Sequence, residues 1–269
     1  MTPLDGSVAV SDALARLTAA ADTGVPCAPV RDVLGSTDIA AAYLVQQQLI
    51  AARVAAGAVV VGRKIGATSA AVQQQLGVTQ PDFGVLLDDM DVSGLTEVPS
   101  DRLLQPRAEA EIAMRLGADL VDGDLDDAQI RAAVSGLAAA IEIVDSRITD
   151  WDIQITDTVA DNASSGVYVL GTERRTLDEV APVDVTMSMA VDGQEVSSGN
   201  GAACLGDPIE AVVWLARAAR DLGQPLLAGQ VILSGALGPM ATVAAGNTVT
   251  VTVSGLGTVT ASFVGEKEA

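Results

Sequence analysis

The sequence predicts an α+β fold. Two observations carry this. Helix-type and strand-type stretches are segregated along the chain instead of alternating as β-α-β units. The apolar half of the composition is Ala, Val and Leu with almost no aromatics, which suits a core of small aliphatic side chains. At 269 residues the chain is long enough to bury such a core as one large unit or two small ones.

The elements follow in order. Residues 1–57 read as a helical N-terminal segment, with 58–269 as a catalytic domain, the two forming one compact unit. Ser11 to Ala21 suits a short helix. A longer helix begins after Ser36 or Thr37, either able to cap it, carries Ile39, Tyr43, Ile50 and Val54 near helical spacing and stops at Gly57. AVVVG (58–62) is a β-branched run of a buried strand. TSAAVQQQLG (68–77) suits a short helix, and QPDFG (80–84) has turn chemistry. AEAEIAMRL (108–116) alternates as a strand does, Asp126 to Leu137 reads as helix, and AAAIEIVDS (138–146) as a buried strand. Thr186 to Ser197 reads as a hairpin turning on Asp192-Gly193. GDPIEAVVWLARAARDLG (206–223) has Asp207 as N-cap, Pro208 at the first helical position and Gly223 after the end. Three strands close the chain, in QVILSGAL, NTVTVTV and TVTASFV.

Charge excludes several functions. Thirty-five Asp and Glu against fifteen Lys and Arg give a net charge of −20, the opposite of what a nucleic-acid or membrane-surface partner requires. Most of these acids serve solubility. The first residues lack the basic start of a secretory signal, and the uncharged stretch from Leu222 to Gly265 is too broken by Gly, Pro and Thr for a membrane span. The expected location is the cytoplasm. Cys27 and Cys204 have no metal-ligand spacing, and Cys204 reads as a buried small thiol.

The chain contains no histidine. That removes Ser-His-Asp and Cys-His catalysis and every His-ligated zinc site. Acid–base work falls to other side chains, and a bound metal must be an oxygen-seeking cation such as Mg²⁺, Mn²⁺ or Ca²⁺.

Candidate residues fall in three segments. In PRAEAEIAM, Glu109 and Glu111 sit at i and i+2, which on a strand places both carboxylates on one face about 7 Å apart. They form either a solvated face or two ligands of a cation. Glu142 lies in the apolar run LAAAIEIV, where a lone ionised carboxylate costs several kcal/mol. It must be paired with an arginine such as Arg107 or Arg147, protonated, or bound to a metal. Lys64 in GRKIGATS is one of only two lysines. It is either a surface lysine or a pocket group that binds a carboxylate or moves a proton. Asp82 in QPDFG is either a turn former or a general base. No nucleotide-binding glycine loop is present: SSGNGAACLG fits neither phosphate-loop pattern.

Read together, the blocks VVGRKIGATSAAVQQQLGVTQPDFGVLLDDM, LLQPRAEAEIAMRL, IEIVDSRITDWDIQITDTVADNASSGVYVLG, EVSSGNGAACLGDPIEAVVWLARAARDLG and VILSGALGPMATVAAG resemble, in order, those of the hydratase/decarboxylase branch of the fumarylacetoacetate hydrolase superfamily. The resemblance runs from about residue 25 to the end. It implies a mixed β-roll with flanking helices, and Mg²⁺ or Mn²⁺ held by Glu109, Glu111 and Glu142. It places Lys64 and Asp82 beside a small 2-hydroxydienoate substrate. The implied reaction adds water to 2-hydroxypenta-2,4-dienoate in the meta-cleavage degradation of aromatic compounds. A homo-oligomer, pentamer or decamer, is implied, and a pathway partner enzyme is a further expectation. A sister decarboxylase activity and a non-catalytic partner subunit are the alternatives; ILSGALGPM looks more like the hydratase.

Overall fold

The computed structural model describes residues 6–69, 73, 74, 78 and 80–265. Helix α1 (Gly6–Thr23) runs longer than its sequence signal. The short α2 (Arg31–Leu34) follows, then α3 (Ile39–Ala55). The cap of α3 is Asp38, whose side chain accepts from the Ala41 amide at 2.9 Å, and not Ser36 or Thr37. These helices bury Leu17, Val30 and Val45 against Ile148 and Val159.

The first strand, β1 (Val60–Gly66), starts two residues later than AVVVG suggests and therefore includes Lys64. The helix read over 68–77 lies in part outside the described residues. Asp82 does not sit in a turn: it opens β2 (Asp82–Leu87), every residue of which is buried. Burial on both faces overrides the turn signal of Pro81 and Gly84.

Next come β3 (Pro106–Leu116), α4 (Asp127–Ala133) and β4 (Val134–Asp145). The helix expected to reach Leu137 ends at Ala133, because Val134 to Leu137 enter the ladder with β3. After α5 (Ile155–Ala160) and β5 (Ser165–Leu170), the hairpin β6 (Thr186–Val191) and β7 (Gln194–Asn200) turns at Asp192 and Gly193, both at positive φ, +52° and +79°. Helix α6 (Pro208–Asp221) is capped by Asp207 as expected. Strands β8 (Val231–Leu233), β9 (Ala241–Thr242), β10 (Thr248–Val253) and β11 (Gly257–Ser262) finish the chain.

Two sheets form the body. One has the order β2-β1-β8-β3-β4-β5, with β9 added to the end of β3; the other has the order β11-β10-β6-β7. All neighbours in the larger sheet are antiparallel except β1 and β8. Strand alternation gives the larger sheet two different faces. Ala108, Ala110, Ile112 and Met114 of β3, with Ile141 and Ile143 of β4, share one core with Val249 and Val251 of β10 and with Ile209 and Val212 of α6. The intervening residues, Glu109, Glu111 and Glu142, turn to the opposite face. Among the described residues no helix is long and apolar enough to cross a membrane.

Candidate active site

The register of β3 and β4 builds the site. Glu109 lies directly opposite Glu142, and Glu111 follows Glu109 on the same face. All three carboxylates are buried, at 5%, 0% and 1% exposure, and one oxygen from each lies within 4.8 Å of the others. The Gly235 amide donates to Glu111 Oε2 at 2.8 Å. Glu111 Oε1 and both oxygens of Glu142 have no aligned hydrogen-bond donor.

Strand β1 adds Lys64, 1% exposed, whose Nζ lies 3.2 Å from Glu142 Oε1. This is an ion pair with poor hydrogen-bond alignment. It also settles the partner of Glu142, which is neither Arg107 nor Arg147. Arg147 pairs with Asp161, and Arg107 stacks on Trp151 with its guanidinium carbon 4.3 Å from the ring centroid.

Asp82 enters from β2, opposite Gly66. A Cβ on Gly66 would overlap Asp82 Oδ1, so glycine is required for this approach. Thr158 Oγ1 donates to Asp82 Oδ2 at 2.9 Å and stands 3.4 Å from Ser164 Oγ. Ser164 ends a run of three left-handed residues, Asn162, Ala163 and Ser164, with φ of +55°, +53° and +51°. Such a run is held only by its surroundings. Asn162 supplies the hold: its side chain accepts from the Val85 amide at 2.7 Å and donates to the Val85 carbonyl at 2.9 Å. Lys64, Asp82, Glu109, Trp151, Thr158 and Ser164 line one small chamber.

The electrostatics are dominated by burial. Burial pushes the Glu109 carboxyl up to about 7 against the pull of Lys64, with Glu142 and Asp82 adding to the rise. Burial, then repulsion from Glu142 and Glu109, raises Glu111 well above the carboxylate range. Burial likewise raises Glu142 and Asp82, opposed in each by Lys64. For Lys64 burial disfavours the charge, but Glu142, Glu109, Asp82 and Glu111 outweigh it, and the ammonium keeps its proton more firmly than an ordinary lysine.

Four buried carboxyls therefore face one ammonium. Orphaned oxygens on a rigid strand pair are the donor set of a hard divalent cation, which accepts oxygen ligands and leaves positions for water and substrate. The residues present fit such an ion. The structure brings together all five residues singled out in the sequence. Thr158, Ser164, Trp151 and Met240 join them without a sequence argument having found them; the polar run TDTVADNASS, buried from Thr156 to Ser165, is the signal that could have.

Comparison with known proteins accords with this geometry. Residues 58–264 match the fumarylacetoacetate (FAA) hydrolase C-terminal family. The chain belongs to the fumarylacetoacetate hydrolase family. Within it, the chain is 51% identical over 255 residues to a TodF product hydratase of Pseudomonas putida, covering 95% of each. It is 47% identical to a 2-keto-4-pentenoate hydratase of Paraburkholderia xenovorans, covering 94% of each. Among solved structures, 4-oxalocrotonate decarboxylase from Pseudomonas putida, complexed with magnesium and adipate, superposes with a TM-score of 0.89 at 31% identity, covering 97% of this chain and 99% of that one. The mixed β-roll with flanking helices expected from the sequence is the fold observed.

Proposed function

We propose that this protein is a metal-dependent hydro-lyase that adds water to 2-hydroxypenta-2,4-dienoate, giving 4-hydroxy-2-oxopentanoate. The observation that carries the reading is the trio Glu109, Glu111 and Glu142 with unsatisfied oxygens beside Lys64 and Asp82. The names of relatives at 47–51% identity select hydration over decarboxylation.

Glu109, Glu111 and Glu142 would hold Mg²⁺ or Mn²⁺, which when bound supplies positive charge to polarise the 2-oxygen of the substrate. Lys64 suits the substrate carboxylate: its proton is firmly held, so it acts as a fixed cation and not as a base. Asp82 is the proton carrier. Its carboxyl is raised by burial and fixed by Thr158 on one oxygen, leaving Oδ1 to receive or give a proton. The 2-hydroxyl proton leaves and C5 gains one, which makes the 2-oxo-3-enoate. Water then adds hydroxyl at C4 and a proton at C3. The buried chamber keeps bulk water from the conjugated acid.

Free Cys27 and Cys204 accord with a cytoplasmic setting. The reading includes a homo-oligomer of pentamer or decamer size and a role in meta-cleavage degradation. The decisive assay follows loss of dienoate absorbance with added Mg²⁺ or Mn²⁺ and identifies the product. A 4-hydroxy-2-oxo acid is expected, abolished by EDTA. Glu109→Gln and Glu142→Gln each lower turnover about a hundredfold or more. Full activity in EDTA refutes the metal role, and release of carbon dioxide reassigns the protein to the decarboxylases.

A further inference from the structure

The chamber at the carboxylates is too small for its substrate. It has a volume of about 20 Å³, room for little more than one water. A dienoate of five carbons is several times larger. Beyond one side chain lies a larger space, an open cavity of about 380 Å³ lined by Leu103, Pro106, Arg107, Val243 and Phe263 among others. Trp151 lines both spaces. Met240 stands beside it on the inner side.

This partition is braced. Arg107 lies over the Trp151 ring, and its Nη1 is 3.7 Å from Met240 Sδ. Among the described residues Arg107 has no carboxylate in ion-pair range, so its place is set by the ring and the thioether. Trp151 itself has a left-handed backbone, φ +56°, following Asp150 at +57°. Bulky residues rarely adopt this conformation. Gln105 fixes it, accepting from the Trp151 indole Nε1 at 2.9 Å through its carbonyl and from the Asp150 amide at 2.8 Å through its side chain. The backbone strain is spent on placing one indole between two cavities.

The geometry points to the outer cavity as the subsite for the far end of the substrate, with Trp151 and Met240 as the gate that sets how long a tail is accepted. The inference rests on the dienoate reading above and adds the class of tail: an unbranched apolar chain, because Leu103, Val243 and Phe263 offer it an apolar wall. With its carboxylate on Lys64, even a short dienoate needs the indole and the thioether to give way, because the chamber holds little more than one water. A longer one needs a larger displacement, which carries its tail past them into the outer cavity.

The test uses the full chain with Mg²⁺ and a series of 2-hydroxy-2,4-dienoates bearing hydrogen, methyl, propyl or a terminal carboxylate at the far carbon. Met240→Ala raises the propyl-to-hydrogen ratio of kcat/KM roughly tenfold, the scale of a few methylenes gaining a pocket. Trp151→Phe, a milder change, moves the ratio the same way by less. A ratio unchanged in both folded variants overturns the gate. A wild-type preference for the carboxylate-tailed substrate also overturns it, since the cavity then serves Arg107 as an anion site. Binding provides a second readout independent of turnover. In the wild type, 2-oxooctanoate quenches tryptophan fluorescence more than 2-oxopentanoate, and Trp151→Phe removes the difference. Equal quenching by both acids overturns the subsite. If no dienoate turns over while this difference holds, the hydratase reading fails and the subsite stands.

Discussion

Thr158 shows what a single hydroxyl can control. It is buried, and its donation to Asp82 Oδ2 is a hydrogen bond to the charged form of the acid, which opposes the upward push of burial. Thr158→Val keeps the shape and removes the donor. Asp82 then holds its proton to higher pH, so the acidic limb of the pH–rate profile moves upward, and Thr158→Ser restores it. Loss of the bond also lowers unfolding free energy by about 1–2 kcal/mol, measurable with urea. At this scale the sequence was uneven. Glu142 was legible because its neighbours along the chain, LAAAI and IV, are apolar, and Glu109 with Glu111 because strand alternation is local. The Lys64–Glu142 pair joins residues on strands far apart in the chain, so the spacing of neither residue announces it. Trp151 could have been flagged only by rarity, as one of two tryptophans in the chain.

Among the elements, the segment from β4 to β5 carries the strain of the site and the pair that anchors it. Asp161, at the end of α5, receives the Arg147 amide at 2.9 Å and the Arg147 Nε, while Arg147 also donates to the Asp161 and Ser165 carbonyls at 2.7 Å each. Burial raises the Asp161 carboxyl to about 6, with Arg147 pulling the other way. The folded state thus binds this proton more tightly than the unfolded chain does. The contribution to stability is full below the ordinary 3.8 and is lost as pH rises through about 6. Asp161→Asn therefore flattens the stability–pH curve between those limits. At neutral pH the same change leaves the half-buried Arg147 without its carboxylate partner and costs about 2–4 kcal/mol in denaturant unfolding. Element boundaries were legible where punctuation is local, as in Asp207-Pro208 for α6 and Asp192-Gly193 for the hairpin. They were misread where a tertiary ladder overrides local chemistry: Asp82 follows a proline yet pairs with β1, and Val134 to Leu137 leave helical spacing to pair with β3.

The molecule as a whole places an acidic cluster where water cannot screen it. The apolar face of β3 and β4 is tied into the second sheet and α6, so the strands cannot spread to relieve repulsion between Glu109, Glu111 and Glu142 on the other face. Without a cation the cluster must keep protons that free carboxylates would lose, because burial raises all three. On the proposed reading a divalent ion held by these glutamates would replace those protons. It would bind the folded chain and have no comparable site in the unfolded one, and so would stabilise by mass action. At a hundredfold excess over its dissociation constant the gain is about 2.7 kcal/mol, which for a chain of this size raises Tm by about 5–10 °C. Thermal unfolding with Mg²⁺ or Mn²⁺ against EDTA reads this shift. Titration calorimetry in two buffers of different ionisation enthalpy detects protons leaving as metal enters. Glu111→Gln removes one proposed ligand while keeping an acceptor for the Gly235 amide, and the metal-dependent part of the Tm shift is expected to collapse in that variant. A Tm indifferent to metal in the wild type removes the cation from the site and leaves Lys64, with Arg107 beside Glu109, to hold the cluster together.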